Sequence, residues 1–150
     1  MTRPVHSTFN LCFQPCYAGP MSEDRNKEME MILIAGPYRS GTNDVPELMA
    51  ANVKVMESFA LSIFRAGHIP VLGEWFALPL AQLGGSLRAG DDVFNEVFHP
   101  IAVRLLRKCD GVLRVGGPSA GADEMVRVGR QLGLKIYSRI QEIPGCQGTS

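Results

Sequence analysis

The residues best suited to do chemistry lie in one short stretch, Val115-Gly116-Gly117-Pro118-Ser119-Ala120-Gly121-Ala122-Asp123-Glu124. An apolar run, Val112-Leu113-Arg114-Val115, leads into a glycine-rich turn, and a helix-like segment follows. Such a turn can set unpaired backbone N–H groups and a helix N-terminus beside an anionic ligand. Glu124 falls in the first turn of that helix, where the dipole favours its ionised form. An ionised carboxylate in that position can attack the anomeric carbon of a sugar, giving a glycosyl-enzyme that water or another acceptor resolves. Asp123 and Glu124 equally satisfy the ordinary preference for acidic residues at a helix start.

A second loop has a complementary composition. Gly36-Pro37-Tyr38-Arg39-Ser40-Gly41-Thr42 combines a fixed cation, hydroxyl donors and a flexible backbone, which suits a phosphate or a hydroxyl-rich ligand. It is neither a P-loop nor a dinucleotide fingerprint, because the required glycine and lysine spacing is missing. An ordinary polar loop between a strand and a helix has the same composition. Trp75 and Phe76 are available to stack on a nucleobase, and they serve a core equally well. Cys12 and Cys16 lack a second Cys/His pair at zinc-ligand spacing, and Cys109 reads as a small core hydrophobe. The chemistry requires no metal and no cofactor.

These loops need a frame. Met31–Ala35 is a short continuous apolar run of the buried parallel-strand type. A helix is predicted from Pro46 to Ala66, with Leu48, Val55, Met56, Phe59, Ile63 and Phe64 on its apolar face and Gly67 ending it. Strands are predicted at 68–72, 110–115 and 134–137, and helices at 91–108 and 121–132. The stretch 73–90, with Trp75 and the Gly84-Gly85 pair, reads as a loop with a short helix, in the place of a lid or dimer contact. Alternating strands and helices give a four- to five-stranded parallel sheet covered on both faces, a flavodoxin-like (Rossmann-like) three-layer sandwich. Ligands in such sheets bind beyond the carboxyl ends of the strands, where both loops would lie.

Length and composition set bounds. The chain has 150 residues, 45% of them hydrophobic, enough for one domain with a full core. Residues 1–30 are rich in proline and polar residues without periodicity and read as a disordered leader, 31–143 as the domain, and 144–150 as a flexible tail. The formal net charge is zero, which argues against duplex nucleic acid as a partner. No apolar run approaches the roughly 20 residues that span a bilayer, and the N-terminus lacks the pattern of a signal peptide. No membrane association and a cytoplasmic location are the expectations.

The two blocks together resemble the nucleoside 2-deoxyribosyltransferase superfamily, which includes the 2'-deoxynucleoside 5'-phosphate N-hydrolases. Leu33-Ile34-Ala35-Gly36-Pro37-Tyr38-Arg39-Ser40-Gly41 is similar to that family's first strand and loop. Asp110 to Val115, followed by Ser119 to Glu124, is similar to its Asp-initiated strand and Ser-x-Gly-x-x-x-Glu-like turn. The resemblance implies hydrolysis or exchange of the base–sugar bond of a nucleoside or nucleoside 5'-monophosphate. By it, Glu124 takes the nucleophile's position, and Ser119, Arg39, Ser40 and Gly41 the 5' side. Gly36, Pro37, Tyr38, Glu74, Trp75, Asp110 and Gly121 complete the implied substrate site, and a homo-oligomer is implied.

Two positions depart from the family pattern. Leu33 stands where a tyrosine is frequent, and Ala102 where the hydrolases carry the aspartate that protonates the leaving base. Asp91, Asp92, Glu96 or Glu74 are the candidate substitutes, and His99 reads as structural. A non-catalytic nucleotide-binding or sensor module on the same fold is the alternative function. Gly116-Gly117 with Gly121 and Glu124 more faintly resembles a motif of phosphoribohydrolases that release cytokinin bases.

Overall fold

The computed structural model describes residues 28–146. Cys12, Cys16, most of the expected leader and residues 147–150 lie outside the described residues. In chain order the elements are β1 (Met31–Ala35), α1 (Pro46–Arg65), β2 (Ile69–Val71), α2 (Gly73–Leu83), α3 (Asp92–Leu106), β3 (Gly111–Arg114), α4 (Ala120–Gln131) and β4 (Lys135–Tyr137), followed by a 3-10 turn at Ile140–Glu142. The strands form one parallel four-stranded sheet in the order β2-β1-β3-β4. Helices cover both faces, so the chain is an α/β protein with a flavodoxin-like three-layer sandwich.

The layering follows from the two-residue repeat of the strands. Ile32 and Ile34 face α1, where Met56, Ala60 and Ile63 meet them together with Leu113 and Val115. Leu33 and Ala35 face the other layer, packing with Leu106, Val112, Ala122, Met125 and Val126. Central strands buried on both sides therefore read as unbroken apolar runs. No helix among the described residues is long and apolar enough to cross a membrane.

The structure refines the sequence reading in three places. The buried face of α1 is Met49, Met56, Ala60 and Ile63, whereas Leu48, Val55 and Phe64 are exposed. The helical period was legible, but α1 is apolar on more than one side, so the period alone does not select the face. Within 73–90, α2 is an 11-residue helix that packs along α3. The fold also takes in both margins of the assigned domain. Glu30 is buried and its carbonyl accepts from the Ile69 N–H at 2.8 Å, while Cys146 is buried against the α1 layer.

The amino-terminal edge of the sheet is a set of polar staples. Asp110 Oδ2 accepts from the Met31 N–H at 2.7 Å, joining the starts of β1 and β3. Glu30 accepts from Lys135 Nζ and, at 2.7 Å, from the Tyr137 hydroxyl. Burial raises the Glu30 pKa, but the Lys135 and Tyr137 bonds outweigh it and hold the carboxyl below its ordinary range. The Glu30 N–H donates to His68 Nδ1 at 3.1 Å, so Nε2 carries the ring hydrogen and donates to the Pro144 carbonyl at 2.7 Å.

Candidate active site

Two loops leave the carboxyl ends of β1 and β3, neighbouring strands at the point where the strand order reverses. Between them lies a cavity of about 130 Å³. Its walls come from the end of β1 and the following loop (Leu33 to Gly36, Tyr38), the start of α2 (Gly73, Glu74), α3 (Phe98, His99, Ala102) and the start of α4 (Ser119, Gly121, Ala122, Met125). The lining is mostly apolar, with few polar groups to orient a ligand, which is the usual make-up of a small-molecule site.

The carboxylate in this cavity is Glu74. It is buried, 8% exposed, and burial pushes its pKa up to about 7 against the partial opposition of its own N–H. Its position follows from the packing of α2. Gly73 sits so close to α3 that a Cβ there would lie 3.3 Å from the Ala102 methyl, and this contact sets the first turn of α2 over the cavity. The Glu74 charge in turn reaches Tyr38, whose hydroxyl pKa is raised by burial first and by Glu74 second. Tyr38 and Phe98 stack at 5.1 Å, and Phe98 stacks on Phe94 at 4.5 Å, giving the slot an aromatic wall.

The start of α4 is built as expected. Ser119 caps the helix, its Oγ accepting from the Ala122 N–H at 3.2 Å, while its carbonyl accepts from the Asp123 N–H at 3.0 Å. The N–H groups of Ala120 and Gly121 are left without an acceptor among the described residues, as the geometry of a helix start requires. Arg114 fixes the glycine turn ahead of the helix, with one nitrogen on the Gly117 carbonyl at 2.8 Å and another on Asp123 at 2.9 Å. Gly116 has φ of +75°, and a Cβ there would strike Pro37 at 2.7 Å, so the two loops meet through a glycine and a proline.

Several expected site residues stand elsewhere. Glu124 does not line the cavity; its carboxylate is bound by Arg127 at 2.7 Å, which with His99 holds its pKa below the ordinary value. The spacing of the motif that the chain resembles accounts for the displacement. Counting Ser-x-Gly-x-x-x from Ser119 arrives at Met125, which does line the cavity, and one residue on a helix is a turn of about 100°. Arg39 is held by both oxygens of Asp44, at 2.7 and 2.8 Å, and does not line the cavity, nor do Pro37, Ser40 and Gly41. Trp75 lies on the outside, its indole N–H donating to Glu57 at 2.8 Å. Asp110 sits at the opposite edge of the sheet, where it clamps β1. Gly36, Tyr38, Glu74, Ser119 and Gly121 are the expected residues that the cavity brings together.

Of the four candidate substitutes for the missing aspartate, Glu74 alone lines the cavity. Asp91 caps α3 instead, accepting from the Phe94 and Leu87 N–H groups at 2.8 Å each, and these bonds hold its pKa down at about 2. Asp92 begins α3, and Glu96 lines a separate groove. Phe98, His99 and Met125 are lining residues that the sequence reading did not place in the site. For Phe98 the available signal was its i, i+4 relation to Phe94 and to Ala102 on α3. No protein-family model matches this chain, and no curated protein matches it.

Proposed function

We propose that this chain binds a nucleoside or nucleoside 5'-phosphate at the β1/β3 edge and breaks its base–sugar bond, with Glu74 as proton donor to the leaving base. One observation carries this reading: a buried carboxyl, its pKa pushed up to about 7 by burial, in an apolar slot at the strand switch point. A carboxyl with that pKa is half protonated at neutral pH and can give and take a proton under the same conditions. An ordinary carboxyl, fully ionised, cannot donate.

The chemistry balances with Glu74 alone as the proton carrier. Its proton passes to a ring nitrogen of the base as the C1'–N bond breaks, so the base departs uncharged. A water oxygen bonds to C1', and the water proton returns to the Glu74 carboxylate. With a second base in place of water the same steps give transfer. General acid catalysis of this kind contributes roughly 100- to 10,000-fold in rate. Tyr38 and Phe98 offer the base a flat apolar wall. Ser119 with the Ala120 and Gly121 N–H groups suits the oxygens of the 5' side, phosphorylated or not.

Ala102 supports the same assignment. The position that bears the acid in the resembling hydrolases lies in this cavity, and Glu74 enters the cavity from the facing helix start. Glu124, paired with Arg127 outside the lining, is given no bond-making part in this reading. The test is incubation with a panel of ribo- and deoxyribonucleosides and their 5'-phosphates, followed by chromatography for free base. Release by the wild type, lost in Glu74→Gln and kept in Glu124→Gln, is the expected result. Loss in Glu124→Gln with Glu74→Gln active would restore Glu124 as the reacting carboxylate. Tight nucleotide binding with no base release would establish the binding-module alternative.

A further inference from the structure

Besides Glu74 and Tyr38, the cavity is lined by one more titratable side chain, His99. It comes from α3, three residues before Ala102, while Glu74 follows Gly73, which packs on Ala102 from the start of α2. His99 is exposed and has no hydrogen-bond partner among the described residues, so its ring nitrogens are open to a water or a ligand. The two groups act on different walls. The Glu74 charge reaches Tyr38, in the loop after β1, whereas that of His99 reaches Glu124, in the first turn of α4. Glu74 itself is shifted by burial and by its own N–H, without a part from His99. Glu96, three residues back on α3, and the Glu124–Arg127 pair are the neighbouring charges.

In a direct displacement the base leaves one face of the sugar and water arrives at the other. A donor beside the leaving base cannot also receive the proton of that water in the same step. The route through a glycosyl-enzyme needs a carboxylate nucleophile in addition to the acid. Glu74 is the one carboxyl group among the described residues that line the cavity, and the His99 imidazole is the one further side chain there of the kind that serves as a general base. On the reading of Glu74 as proton donor, we propose that His99 is the general base of a single-displacement hydrolysis, so that the sugar is released with inversion at C1'. The water oxygen bonds to C1' while its proton goes to a free His99 nitrogen. The C1'–N electron pair stays with the base, which takes the Glu74 proton at a ring nitrogen. The imidazolium and the carboxylate that remain are reset when one proton passes between them through solvent.

Base release against pH, measured for the wild type, Glu74→Gln and His99→Gln, tests the assignment. The wild-type profile should fall at both ends, at alkaline pH as Glu74 loses its proton and at acid pH as His99 gains one. His99→Gln should lower kcat by about 100-fold or more and leave KM little changed. It should also abolish the acid fall while keeping the alkaline one. Added imidazole should restore part of the rate to His99→Ala, which it could not do for an unfolded variant. With methanol as a competing acceptor, a β-nucleoside should yield the methyl α-glycoside, read by proton NMR. The methyl β-glycoside would overturn the proposal, as would a His99→Gln variant with wild-type kcat and an intact acid fall. Base release lost in Glu74→Gln and kept in His99→Gln removes the His99 role alone. A wild type without base release removes the Glu74 reading on which that role rests.

Discussion

Glu74 sits under two opposed demands, and its pH behaviour exposes both. Its pKa is raised to about 7, so the folded protein holds a proton that the unfolded chain releases near the ordinary carboxyl value. Below that ordinary value the group is protonated in both states and costs nothing. As pH rises through the window from the ordinary value to about 7, the folded state becomes the weaker acid and stability falls, levelling off above it. The full loss corresponds to roughly 3 kcal/mol. Glu74→Gln, a neutral isostere, is therefore expected to be more stable than the wild type at pH 8 and equal to it at pH 4, as read by urea unfolding at both pH values. On the proposed reading the same variant loses base release, and this residue then trades stability for function. Ser119→Ala removes the α4 cap and should cost about 1 kcal/mol of stability, with weaker ligand binding because Ser119 also lines the cavity.

At the scale of the elements, β1 and α4 were legible, and α2 only as a short helix without bounds within a loop. β1 is a buried run with no competing pattern, and its neighbours enforce the fit: a Cβ on Gly36 would lie 2.9 Å from Met56 Cγ and 3.1 Å from Val115 Cγ2. Gly36→Ala is expected to destabilise the fold by about 1–3 kcal/mol, measured by chemical denaturation, and to narrow the cavity at its β1 side. The start of α4 could be read to within a residue because a glycine-rich turn precedes an acidic first turn, and the structure adds the Ser119 cap. α2 carries Gly73 at its first position, Pro79 inside and Gly84 at its end, and local propensity favours a loop. Packing along α3 overrides that preference. The identity of the site carboxylate was hidden for the same reason. Whether Glu74 or Glu124 faces the cavity depends on the Gly73–Ala102 contact and on one residue of helical phase, and neither is visible in composition or spacing.

Across the whole molecule the two edges of the sheet divide the work. The carboxyl edge holds the cavity and leaves Ala120 and Gly121 N–H groups available to a ligand. The amino edge spends its polar groups on one another, with Glu30, His68, Asp110, Lys135 and Tyr137 tying β1 to β3, β4 and the carboxyl-terminal segment. Glu30→Ala leaves the buried Tyr137 hydroxyl without its acceptor and should cost about 1–3 kcal/mol in unfolding experiments. Because this edge lies across the sheet from the cavity, the folded fraction of that variant should release base at the wild-type rate. A loss of rate per folded molecule would show that the two edges are coupled.

The proton on Glu74 is the centre of the account, and carbon-13 NMR of its side-chain carboxyl reads it directly. Titration of the free protein should give a midpoint close to 7, and a bound nucleoside should displace that midpoint while the Glu124 resonance titrates below the ordinary carboxyl range. A Glu74 midpoint in the ordinary carboxyl range, unmoved by any nucleoside or nucleotide, would contradict it.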